Sequence, residues 1–178
     1  TAAPDRLAAD VANAVLGGIG SRLDRKLHDE LAVTLGAGSS FWRGEWAGTW
    51  AVATTFRTER AAEGLRATLE VIESARTTPM TDDELASART TLTRALAQQL
   101  ETVAGTARAT ERVAIQPLPL TYYDTYEARL AAITPAAAQA AVQTAWAEPS
   151  IVIVGDWTKL APALASLGLP AVTYEAAP

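Results

Sequence analysis

"AVTLGAGSSFWRGEWAGTWAVATTFRT", residues 32–58, is the stretch on which the fold turns. Its first part, Ala32 to Trp42, is apolar and hydroxyl-rich and reads as a strand weakened by Gly36 and Gly38. Arg43-Gly44-Glu45 supplies a turn. Residues 47–58 return as a second strand rich in Val, Thr and aromatics, so the whole is a β-hairpin. Most of the chain on either side carries helical spacing, with two further strand-length runs late in the sequence. The class is therefore α+β rather than alternating strand and helix.

Upstream, residues 5–16 ("DRLAADVANAVL") place Leu7, Val11, Ala14 and Val15 on one face, an amphipathic helix. "GGIGS" breaks it at Gly17 to Ser21. Its glycines suit a tight helix-to-helix turn. It lacks the third glycine of a dinucleotide loop and the lysine of a P-loop, and it follows a helix rather than a strand. Arg22 to Leu31 reads as a second helix, with Leu23, Leu27 and Leu31 at spacing four.

Downstream, Thr58 to Arg76 is helical with Leu65, Leu69 and Ile72 inward. Thr81 and Glu84 form a capping box. One long helix is expected from Asp82 to Ile115, with Gly105 as the point where it bends. "QPLPLTYYDTY" is a linker whose tyrosines wedge against that helix, and a short helix follows to Ala132. Thr134 and Pro135 open a helix to Trp146 as cap and first-turn proline. Ser150 to Trp157 ("SIVIVGDW") is a continuous apolar run of strand length, expected to be a buried strand. Thr158 to Leu167 is a last helix, and Ala171 to Ala176 a last strand. The expected architecture is a mostly antiparallel sheet, completed by the late strands and covered by helices, in one domain spanning 1–178.

Composition narrows the chemistry. The chain has 178 residues, 49% of them hydrophobic, with a net charge of −5. No basic footprint for nucleic acid exists. No apolar run approaches the roughly 20 residues that span a bilayer. With no cysteine, disulfides, thiolate metal sites and a cysteine nucleophile are excluded. The chain opens at Thr1 and its only methionine is Met80, so a fragment or processed product is expected.

His28 is the only histidine. A zinc site built on imidazole and carboxylate needs two or three histidines, or cysteine besides. Its "HDE" context is neither H-E-x-x-H nor H-x-x-E-H. A charge-favoured position near a helix C-terminus accounts for it. Pairing of His28 with Ser39 or Ser40 as a hydrolytic couple is the other option, although no G-x-S-x-G elbow is present. Trp42, Trp46 and Trp50 could pack in the core or form a surface for peptide or carbohydrate. Asp82, Asp83 and Glu84 complement the dipole of their helix without a metal.

Four pieces, in this order, carry a family resemblance: "ANAVLGGIGSRLDRKLHDE", "TLGAGSSF" with its returning strand, "TPMTDDELASARTTL…LE" and "IVIVGDW…LGLP". Together they resemble the C-terminal half of a pitrilysin/insulinase-type zinc peptidase, the superfamily of mitochondrial processing peptidase and bacterial zinc proteases. The resemblance implies a LuxS/processing-peptidase-like α+β half within a clamshell around a chamber. It implies no catalytic residue, metal ligand or cofactor in this chain. Zinc is expected in an N-terminal domain or partner subunit carrying H-x-x-E-H. It also implies a peptide substrate, and a strand ahead of the first helix that would precede Thr1. Bacterial relatives are often exported, so the periplasm or cell envelope is expected, with cytoplasm as the alternative.

In many relatives the stretch around His28 reads L-R-E-x-x-G-L-x-Y, and its Arg and Tyr bond the backbone of a bound peptide. Those positions fall on His28 and Leu35. Histidine keeps a shorter, pH-dependent donor, whereas leucine has none. In two-chain bacterial relatives one subunit brings the zinc and the other the Arg/Tyr pair. The departure is thus compatible with a zinc-bearing subunit or with a non-catalytic structural member.

Overall fold

The computed structural model describes residues 5–43, 48–116, 118–146, 149–169 and 173. Helix α1 (Asp5–Leu16) runs through the middle of the packing. Leu7, Val11, Ala12, Val15 and Leu16 are buried on it, and it touches α4, α7 and β1. Its apolar residues recur at three- and four-residue spacing, which makes one stripe on a helix. It ends against the sheet with no intervening side chain: a Cβ on Gly17 would run into the backbone and Cβ of Ser39. Gly18 and Gly20 then take φ of 117° and 74°, conformations that favour glycine.

Ser21 caps α2 (Arg22–Asp24), its hydroxyl accepting from Asp24 N at 3.2 Å. The helix expected over 22–31 is present, but its second part (Arg25–Glu30) is a π-helix. Leu23 and Leu27 are fully buried on it. Strands β1 (Ala37–Arg43) and β2 (Gly48–Thr54) form the expected hairpin, antiparallel, with Ala37 opposite Thr54 and Arg43 opposite Gly48. Alternation divides its faces. Ala37 and Trp50 are buried, and Phe41 and Val52 pack on the core; Gly38, Ser40, Ala51 and Ala53 are exposed.

After a 3-10 turn (Thr58–Arg60) come α3 (Ala61–Thr77) and α4 (Asp82–Leu100). The capping box is formed in both directions: Glu84 N donates to Thr81 Oγ1 and Thr81 N donates to Glu84 Oε2. The long helix expected over 82–115 is two helices. α4 ends at Leu100, and α5 (Val103–Ile115) begins anew, capped by Thr102, whose hydroxyl accepts from Gly105 N at 2.9 Å. The break lies ahead of Gly105 because Leu100 and Val103 are exposed there and no buried stripe carries the helix forward.

Tyr122, Tyr123 and Tyr126 pack on one another, and the Tyr123 hydroxyl donates to Ala109 O on α5 at 3.4 Å. The tyrosines thus lean on α5, the later part of the expected helix. α6 (Tyr126–Ala131), α7 (Pro135–Ala145, capped by Thr134) and α8 (Trp157–Ala165, capped by Asp156) complete the described elements.

The late part departs from expectation. Ile151–Val154 forms no ladder and is not buried: exposure alternates at 40, 86, 41 and 94%. The expected strand Ala171–Ala176 lies outside the described residues except for Thr173. Among the described residues the sheet has two strands, and the fold is a mostly helical α+β domain. An apolar run has strand propensity, but full burial needs a partner layer on both faces, and here one face, Ile151 and Ile153, is partly covered while Val152 and Val154 stand open.

Candidate functional site

The segment from His28 to Leu35 joins the π-helix to the hairpin. Its backbone follows wide-turn bonding, with Leu31 N donating to Lys26 O at 3.2 Å and Val33 N to Leu27 O at 2.9 Å. The buried Leu27 and Val33 anchor it to the core. At its turn, Ala32 takes φ of 49°, left-handed for a residue with a Cβ. The L-R-E-x-x-G-L-x-Y pattern has glycine at this position.

Both side chains are outside the core. His28 is half-exposed, with Nδ1 2.9 Å from Asp29 Oδ1. Leu35 is 99% exposed. The backbone between them is held by side chains from elsewhere. Arg60 Nη1 donates to Leu31 O at 2.9 Å, and the same guanidinium makes a two-pronged contact with Glu63 at 2.7 Å on each arm. Thr34 Oγ1 lies 3.0 Å from Thr54 Oγ1, and Thr54 donates to Gly36 O at 3.1 Å. Spacing within the stretch shows neither Arg60 nor Thr54. The fold brings them there from α3's entry turn and from β2.

Beside the π-helix is an open cleft of about 430 Å³ lined by Arg22, Arg25, Lys26, Glu30, Glu70, Val71 and Ser74. Its charges are internally matched. Arg22 and Arg25 both reach Glu84, at 2.7 and 3.3 Å, and Lys26 reaches Glu30 at 2.9 Å. The hydrogen bonds from Arg22 are the main cause holding the Glu84 carboxyl down to about 2.

The serine option receives no support from the geometry. Ser39 Oγ donates to Asn13 Oδ1 at 2.6 Å and accepts from Trp50 Nε1 at 2.7 Å, while His28 faces Asp29. Ser39 thus ties α1 to both strands. Trp50 is buried, edge-on to Phe41 at 5.8 Å and 6.1 Å from Trp146, so it belongs to the core. The side chains of Trp42 and Trp46 lie outside the described residues. Among the described residues, no group of three His, Cys, Asp or Glu could hold a metal ion. No described helix is long and apolar enough to cross a membrane.

The family model described as peptidase M16 inactive domain matches residues 1–92. No curated protein matches the chain. Among solved structures, a peptidase M16 inactive domain from Pseudomonas fluorescens is similar at a TM-score of 0.68 and 23% identity, over 80% of this chain and 34% of that one. The inactive peptidase domain of a candidate zinc protease from Bordetella parapertussis matches at 0.66 and 18%, over 80% and 78%. The periplasmic protease PqqL from Escherichia coli matches at 0.64 and 22%, over 79% of this chain and 15% of that one. The chain thus spans about a third of the Pseudomonas fluorescens chain.

Proposed function

Because the chain belongs to the peptidase M16 inactive-domain family, we propose that it is the metal-free C-terminal part of a pitrilysin-like zinc peptidase. In this reading residues 1–178 act as one domain that walls a chamber and helps to hold an extended peptide. Hydrolysis is done by a zinc-activated water in another domain or subunit. The observation that carries the reading is the His28–Leu35 segment. Its left-handed turn stands where the family pattern has glycine, and its two pattern positions face outward.

Within it, His28 and Leu35 are the peptide-facing positions. The imidazole can donate to a peptide carbonyl. Leu35 has no polar group and contributes apolar contact only. The partner is a zinc-bearing domain or subunit, and the periplasmic description of one similar protease supports an envelope location. The loss of the second polar group favours an alternative, a structural member of the same fold that assembles without holding substrate.

The test uses purified chain, zinc and a fluorogenic peptide. No hydrolysis is expected at any zinc concentration, while fluorescence anisotropy shows the peptide bound and His28→Ala weakens it. Hydrolysis abolished by a chelator would overturn the metal-free reading. Absence of peptide binding would overturn the peptide-holding role and leave the structural one.

A further inference from the structure

We propose that Arg60 is the positioning residue of the peptide-facing segment: from the start of α3 it sets the backbone of Leu31 to Leu35 and thereby presents His28 and Leu35. This rests on the reading of that segment as peptide-facing.

Three observations carry it. The π-helix ends at Glu30: Lys26, Leu27 and His28 O still accept from the amides of Leu31, Val33 and Ala32, whereas the carbonyls of Leu31 and Ala32 lie past its end. Arg60 answers this: its Nη1 sits 2.9 Å from Leu31 O and 3.5 Å from Ala32 O. The guanidinium is not free to wander, because Nε and Nη2 form a planar fork with Glu63, one turn further along. Ala32, directly after the Leu31 carbonyl that Arg60 holds, has a left-handed conformation that is uncommon and unfavourable for alanine.

The far end of the segment is fastened by Thr54 to Gly36. Leu35 lies between the two fastenings, 99% exposed. A large apolar side chain on a backbone held at both ends is pre-organised for contact, since little conformational freedom is left to lose on binding. Arg60 reaches this segment through the backbone and touches no part of a bound peptide.

Hydrogen exchange and peptide binding, measured together on the whole chain, test this. In Arg60→Ala the amides of Ala32, Val33 and Gly36 should exchange roughly tenfold faster while those of α1 and α4 hold their rates. Affinity for a fluorescein-labelled, unstructured Ala/Leu-rich peptide should fall by a similar factor. Arg60→Lys, which keeps a donor for Leu31 O, should recover part of both.

Unchanged exchange at 32–36 would overturn the proposal. So would acceleration spread evenly over the molecule without recovery by lysine, which marks a residue of general stability. If exchange rises locally, Leu35→Ala weakens binding and Arg60→Ala does not, the presenting role is overturned while the peptide-holding reading stands. If wild-type chain binds no peptide, that reading fails, and the local exchange result alone decides whether Arg60 sets the backbone.

Discussion

Glu84 shows how much one side chain does at the junction of two elements. Its carboxylate accepts from Thr81 N at 2.9 Å, from Arg22 Nε and Nη2 at 2.7 Å each, and from Arg25 Nη2 at 3.3 Å. Together, with the hydrogen bonds from Arg22 the largest cause, these contacts lower the group from 4.5 to about 2 against the opposing effect of burial. A carboxyl more acidic in the fold than in the unfolded chain stabilises the fold fully above about pH 5 and progressively less as pH falls towards 2. With the Glu84 side chain 16% exposed, the contribution at neutral pH is on the order of 2 kcal/mol after allowance for screening. Glu84→Gln should therefore lower the urea midpoint at pH 7 and approach wild type near pH 2. An equal gap at both pH values would contradict this account. Ala32 is the opposite case, a residue at odds with its φ of 49°. Ala32→Gly should raise stability by about 0.5–1 kcal/mol, the relief of the left-handed strain less the extra freedom of glycine in the unfolded chain. A thermal midpoint unchanged or lowered would argue against strain. The capping box at Thr81 and Glu84 was legible in the sequence because it is local chemistry. The ion pair to Arg22, 62 residues away, has no local signature.

At the scale of elements, legibility followed the same line. α1 and α7 stand where spacing and capping residues put them, and the hairpin is present, but its first strand begins at Ala37 rather than at Ala32, because the left-handed Ala32 and the residues to Gly36 form an irregular segment. The π-helix was hidden, since leucines four apart satisfy an α-helix and a wider turn alike, and only the backbone bonding separates them. The division between α4 and α5 was hidden for a related reason. Residues 82–115 contain no proline, but Thr102, Val103, Gly105 and Thr106, all weak helix formers, cluster where the buried stripe ends, and there the cap at Thr102 starts a new helix. Gly105 is not the breaker. It is what lets the two helices approach, since a Cβ there would collide with the Gln99 carbonyl. Gly105→Ala should thus destabilise by about 1–3 kcal/mol, as overpacking does, against the gain expected in an unencumbered helix. Denaturant unfolding decides the sign; a stabilised variant would mean that the corner relaxes freely.

For the whole molecule, the family and the α+β class were readable, and the missing knowledge concerned what each surface meets. The candidate pair could be placed at His28 and Leu35 from the pattern, but their backbone support from Arg60 and Thr54 depends on chain segments brought together only by folding. The late apolar run shows the same limit. Composition foretells that Ile151–Val154 prefers an extended, covered state, and says nothing of whether cover is to hand. Exposed as it is, with a succession of β-branched side chains and no ladder partner among the described residues, it has the character of an unguarded edge. In the tube, this makes concentration the variable to watch. Light scattering should report a rising apparent mass as samples are concentrated, and Val152→Lys should suppress the rise without moving the melting point. Purified stock of this polypeptide would accordingly keep best dilute, and haze on storage would originate here rather than in unfolding.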